Sequence, residues 1–161
     1  MDEKIIECAI ELIRKNGLRF SLDELVKTLK ISKKTIYKNY QNKERFSLNI
    51  YKYYFYQVNK KVDEIIVKVD KDVLDLLNIY QDVLVMTAEE IFNKFQINEI
   101  IRKEVKGYDE NLLLKIVGKL GGEVNNQKVV ACIIKGSLKE GLLNTEVLEE
   151  TKKELVKLLW K

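Results

Sequence analysis

The sequence predicts an all-α protein, in which an N-terminal three-helix helix-turn-helix domain precedes a helical bundle. Three observations carry that expectation. The 161 residues contain no proline and show no strand-like alternation bounded by turn residues. Apolar residues recur three and four positions apart along nearly the whole chain, the spacing that gives a helix one buried face. Two serines, Ser21 and Ser32, each stand where a short amphipathic run begins, and a serine there can cap a helix by accepting from its unpaired N–H groups.

In chain order, Ile5, Ile6, Ala9, Ile10, Leu12 and Ile13 mark the buried stripe of a first helix that ends at Asn16-Gly17. Glycine suits the left-handed position after a helix end. Ser21-Leu22-Asp23-Glu24 has the spacing of a capping box and opens a second helix, which buries Leu22, Leu25, Val26 and Leu29. A tight turn, Lys30-Ile31-Ser32, leads into a third helix of about two turns. Ile36 and Tyr40 share its inner face, while Lys33, Lys34, Tyr37 and Lys38 fall largely on the other. A short helix with an apolar anchor and an outer face of lysines and a tyrosine suits a DNA major groove.

A long fourth helix is expected from Asn42 or Lys43 toward Val67. Its five aromatics between Tyr51 and Tyr56 point around the circumference, which favours core packing over a base-stacking platform. Further helices are expected near 72–94, 97–106 and 110–119. After Gly121-Gly122 a helix from about Glu123 to Leu142 carries Val130, Ile133, Ile134 and Leu138 among the small residues Ala131, Cys132, Gly136 and Ser137. Asn144-Thr145 then caps a last helix that buries Leu148, Leu155, Leu158 and Leu159 near Trp160.

Charge is unevenly spread. Through Lys52 there are 12 basic and 7 acidic residues, and the remainder carries 17 basic against 18 acidic. From Lys27 to Arg45 seven residues are basic and only Glu44 is acidic. A local positive field of this kind expects a polyanionic partner. Histidine is absent, which removes the commonest general base and metal ligand. Cys8 and Cys132 cannot complete a zinc site, and no glycine-rich phosphate loop occurs. An enzyme, a metal and a cofactor are therefore not expected. No apolar run approaches the roughly 20 residues that span a bilayer, and the acidic start Met1-Asp2-Glu3-Lys4 does not read as an export signal. Two separated cysteines among apolar neighbours suit buried thiols in a cytoplasmic setting.

Residues from about Ile5 to Ile50 resemble the DNA-binding domain of the TetR family of bacterial transcriptional regulators. The resemblance rests on Ala9 and Leu12, Asn16-Gly17, Phe20-Ser21-Leu22, Ile31-Ser32 and above all Thr35-Ile36-Tyr37-Lys38-Asn39-Tyr40-Gln41-Asn42-Lys43-Glu44. Two positions depart from the family pattern, Val26 where alanine is common and Lys30 where glycine stands in the turn. A lysine forced into left-handed backbone costs about 1–2 kcal/mol, so a differently shaped turn is an open alternative there.

The resemblance implies a DNA-binding domain over residues 1–46 and an effector-binding and dimerisation domain over 47–161. It implies that Lys33, Lys34, Lys38 and Tyr37 face base edges, and that Ser21, Thr35, Tyr37 and Lys43 hold the phosphate backbone. It also implies a homodimer on an inverted-repeat double-stranded operator, a repressor released by a small-molecule effector. Tyr80, Met86, Phe92, Phe95 and Tyr108 are the candidates to line an effector cavity, in a bundle shorter than is usual for the family. Dimer contacts are expected from the last two long helices, through Val130, Ile133, Ile134, Ser137, Leu138, Leu155 and Leu159. The alternative is a helical dimer of the same fold governed by a protein partner.

Overall fold

A computed structural model describes residues 2–68, 72–92, 97–120 and 126–159, all in helices and their connections. The helices are α1 (Asp2–Asn16), α2 (Leu22–Leu29), α3 (Lys33–Tyr40), α4 (Lys43–Ile66), α5 (Val73–Met86), α6 (Glu89–Phe92), α7 (Ile97–Leu120), α8 (Gln127–Leu143) and α9 (Thr145–Leu159), with a 3-10 turn at Gly17–Arg19. Two compact units are formed, one from Met1–Gln57 with Val85–Tyr108, the other from Val58–Leu84 with Asp109–Lys161.

The first unit is built on the stripe of α1. Ile5, Ala9, Leu12 and Ile13 are buried with Leu18, Phe20, Leu25, Ile36, Phe46 and Ile50. Each of these side chains larger than alanine contributes about 1.5–3 kcal/mol by leaving water. Phe46 meets Phe20 edge-on at 6.2 Å and Tyr40 at 4.8 Å, so α4 locks the end of α3 to the start of α2. Further along α4, Tyr51 is buried, stacks on Phe92 at 5.9 Å and donates its hydroxyl to the Met86 carbonyl at 3.1 Å. Tyr51, Tyr54 and Phe55 are core, and only Tyr56 of the aromatic run stands largely exposed. Gly17 sits at φ +62°, and a Cβ there would lie 3.2 Å from the Ile91 carbonyl oxygen. Glycine is thus needed both for its conformation and for the close approach.

In the second unit, Val62, Leu76, Leu77, Tyr80, Leu112, Ile116, Ile134, Leu138, Leu148 and Leu155 form the core. Polar ties run through it. Tyr80 donates to buried Asp109 at 2.8 Å, and Lys135 of α8 pairs with the other Asp109 oxygen. Lys152 of α9 is buried, donating to Asn78 and Gln81 of α5 at 2.7 and 2.9 Å and pairing with Glu149. Gly141 lets α9 close on α8, because a Cβ there would come within 2.8 Å of the Leu148 side chain.

Two expected boundaries move. The helix expected over 72–94 breaks at Thr87-Ala88, where Glu89 and Glu90 open a new first turn. Acidic residues favour that position because they face the positive end of the helix dipole. The helices expected at 97–106 and 110–119 are one helix, α7. Gly107 lies inside it with nothing within 4 Å of a built Cβ, tolerated at a cost of about 1 kcal/mol against alanine. A start near Glu123 lies outside the described residues, and α8 is described from Gln127 with Asn126 as its cap.

Candidate nucleic-acid interface

Local chemistry shapes the two short helices. Ser21, in extended backbone, accepts from the N–H groups of Asp23 and Glu24 at 3.2 and 3.4 Å and so starts α2. The helix ends in a Schellman arrangement: Lys30 N–H bonds the Lys27 carbonyl and Ile31 N–H the Val26 carbonyl. Lys30 is left-handed at φ 54° and ψ 40°. The turn therefore keeps the shape a glycine would favour, with the strain of a lysine in it. Ser32 caps α3, accepting from Thr35 N–H at 3.2 Å, and its hydroxyl also meets the Thr35 hydroxyl at 3.0 Å.

On α3, Ile36 and Tyr40 are buried as expected, and Lys34, Tyr37 and Lys38 are exposed. At 3.6 residues per turn these three share an arc of about 100°. Thr35 is half-buried beside the cap. The outgoing connection is unusual. Gln41 adopts φ 62° and ψ −51°, and Asn42 N–H bonds the Tyr40 carbonyl two residues back at 2.7 Å. That is a γ-turn of the strained hand. Lys30 and Gln41 are the non-glycine residues with positive φ among the described residues, and they bracket α3. Asn42 then caps α4 by accepting from Arg45 N–H at 2.8 Å.

Two of the expected DNA contacts are engaged within the chain. Lys33 Nζ lies 2.8 Å from each carboxylate oxygen of Asp23 in the first turn of α2. Lys43 folds inward, donating to the Phe20 carbonyl at 2.9 Å and lying 4.7 Å from the centre of the Phe20 ring. Burial pushes the Lys43 ammonium below its ordinary pKa. Ser21 spends its hydroxyl on the α2 cap. The structure thus gathers Lys34, Tyr37 and Lys38 on one outward face, while Ser21, Lys33, Thr35 and Lys43 are engaged in caps and ties within the chain. Asp23 was missed by the sequence reading; its spacing of ten residues from Lys33 carries no helical period.

The effector candidates divide between the two units. Tyr80 belongs to the second unit, buried with its hydroxyl on Asp109. Met86 and Phe92 are buried in the first unit, Tyr108 packs there on Phe55 at 5.4 Å, and Phe95 lies outside the described residues. Tyr80, Met86 and Phe92 fill core because large apolar groups stabilise most when fully buried. A groove of about 350 Å³ does open in the second unit, between α7 and α8, lined by Glu110, Leu113, Leu114, Lys128, Ala131, Cys132 and Lys135.

The dimer candidates divide by depth. Ile134, Leu138 and Leu155 are buried in the chain's own core; Val130, Ser137 and Leu159 are half-buried. Ile133 is 45% exposed, and Val129, Val147 and Leu158 on the same two helices are at least as open. The stripe of α8 combined two faces, one turned to its own bundle and one turned outward.

A capped pair of short helices, joined by a left-handed turn and packed under a third, is a helix-turn-helix DNA-binding unit. Residues 5–47 match the family model described as bacterial regulatory proteins, tetR family. The matched segment is similar to the helix-turn-helix domain of TetR-family transcriptional regulators. The fold extends over the whole chain. E. coli NemR in its reduced form is 17% identical with a TM-score of 0.69, the match covering 98% of this chain and 96% of that one. FadR from Bacillus subtilis, in complex with stearoyl-CoA, is 19% identical with a TM-score of 0.69, covering 99% and 97%. No curated protein is a significant match to the sequence. Among the described residues no helix is long and apolar enough to cross a membrane, and no group of three or more His, Cys, Asp or Glu side chains is placed to hold a metal ion.

Proposed function

We propose that the chain is a dimeric repressor that reads an inverted-repeat operator through α3 and leaves it when a small molecule binds the second unit. The observation that carries this reading is the outward face of Lys34, Tyr37 and Lys38 on a helix capped at its start and anchored by Ile36 and Tyr40. Lysine donates to guanine O6 and N7 as readily as to phosphate, and tyrosine reaches either. Two such helices in a dimer enter major grooves roughly 34 Å apart or a multiple of it. The exposed apolar face of Val129, Ile133, Val147 and Leu158 supports pairing of α8 and α9 with a second copy, as in a four-helix interface.

The groove between α7 and α8 is the place to seek an effector. Its volume of about 350 Å³ sits at the lower end of the roughly 300–1,000 Å³ typical of small-molecule sites. Because FadR is seen with stearoyl-CoA, acyl thioesters are a reasoned first screen. A ligand releases DNA only by binding the DNA-incompetent arrangement more tightly.

Fluorescence anisotropy with DNA from upstream of the chain's own gene tests the DNA reading. Binding that weakens with salt and is lost in Lys34→Ala and Tyr37→Ala is the expected result. Lys43→Ala is a poor probe, since Lys43 also ties α4 to Phe20. A thermal-shift screen tests the effector reading, since a ligand specific for the native state raises Tm.

A further inference from the structure

We propose that Asp23 withholds Lys33 from DNA, so that Lys33 reads no base and Asp23 holds down affinity for unrelated sequences. This rests on the DNA-binding reading of α3. The ammonium of Lys33 is shared between both carboxylate oxygens of Asp23 at 2.8 Å, joining the first turns of α2 and α3. A cation at the first position of α3 faces the positive end of that helix's dipole, and α3 has no acid in its own first turn. Asp23 supplies that negative charge from the neighbouring helix. It also complements the dipole of α2, so the carboxylate is well placed twice over. The hydrogen bond to Asp23 raises the Lys33 pKa, in keeping with the same pairing.

The pair is open to solvent, with side chains 47% and 77% exposed, and a phosphate can therefore compete for Lys33. Recruiting Lys33 to a phosphate breaks one ion pair to make another. It also leaves an uncompensated carboxylate at a surface turned to a polyanion. A lysine already neutralised within the protein displaces little counterion from DNA, and counterion release is the main source of sequence-independent affinity. Positive charge counted along the sequence therefore overstates the charge offered to DNA by one. Removing the carboxylate frees Lys33, and a lysine, as a compact point charge, binds phosphates without regard to sequence. Glu24 and Lys27, also exposed on α2, are untouched by that change.

The test is anisotropy with the full chain, on the upstream duplex and on a scrambled duplex of equal length, across a salt series. Four proteins are compared: unsubstituted, Asp23→Asn, Lys33→Gln and the double variant, each checked for helicity by circular dichroism. Asp23→Asn is expected to tighten binding severalfold on both duplexes and to steepen the slope of log K against log salt by about one. Lys33→Gln alone leaves the Asp23 carboxylate uncompensated and is expected to weaken binding to both duplexes alike, by no more than Asp23→Asn strengthens it, and in the Asp23→Asn background to abolish the gain and restore the slope. A purely structural pair would not move the salt slope. A loss of about tenfold or more in Lys33→Gln alone, confined to the upstream duplex, would make Lys33 a base reader and overturn the proposal. A gain in Asp23→Asn that persists in the double variant would overturn it too, by making Asp23 a bulk charge unrelated to Lys33. Failure of the unsubstituted chain to bind any duplex is a different result, and removes the reading on which the proposal stands.

Discussion

Lys30 and Gln41 hold α3 between two strained residues. A lysine in left-handed backbone costs about 1–2 kcal/mol, part of which glycine would return as unfolded-state entropy. Lys30→Gly is accordingly expected to stabilise the chain by about 0.5–1 kcal/mol in urea unfolding; a loss of stability would mean that the lysine side chain makes up for its backbone. The reverse holds at Gly17, where alanine meets both a positive φ and the Ile91 carbonyl. Gly17→Ala should cost about 1–3 kcal/mol. At this scale the sequence was readable wherever partners are local. Ser21 and Ser32 announce their caps because a cap bonds two or three residues ahead. Lys33 and Lys43 were not readable, since their partners Asp23 and Phe20 lie 10 and 23 residues away. The left-handed turn at Lys30 was legible only as a choice, strain or a different shape, and the chain takes the strain.

Between elements, the ties of the second unit differ in depth and should differ in worth. Breaking a buried ion pair costs about 3–5 kcal/mol because a charge is left without its partner. Asp109→Ala, which strands Lys135 and Tyr80, is expected in that range by denaturant unfolding. Lys115 joins Asn59 and Asp63 of α4 at a more open position, and Lys115→Ala should cost about 1 kcal/mol or less. Buried tyrosines set the alkaline limit. Burial raises the Tyr51 and Tyr80 hydroxyls above the ordinary value of 10.0. Above pH 10 the unfolded chain loses these protons while the folded chain keeps them, so stability falls as pH rises. Each such group contributes a slope of about 1.4 kcal/mol per pH unit. Tyr51→Phe should lessen that slope between pH 10 and 11, measured from urea midpoints. Helix existence was legible from periodicity, but helix breaks were not. Thr87-Ala88 interrupts an apolar pattern that continues across it, and Gly107 interrupts nothing.

For the molecule as a whole, the all-α class and the placement of the helix-turn-helix were open to reading, because both rest on period and capping. Which apolar residues face a partner was not, since a helix such as α8 carries a buried stripe and an exposed one side by side. Ile134 and Ile133 are adjacent in sequence and opposite in exposure. Ile133→Glu is therefore expected to yield folded monomers by sedimentation, whereas Ile134→Glu should unfold the second unit. An unchanged dimer in Ile133→Glu would place the interface elsewhere. Anisotropy on upstream DNA with Lys34→Ala, Tyr37→Ala and Lys38→Ala tests whether α3 reads DNA. Tight salt-dependent binding by the unsubstituted chain, lost stepwise in the three variants with the fold intact, is the predicted result. Equal affinity in all four proteins would contradict it.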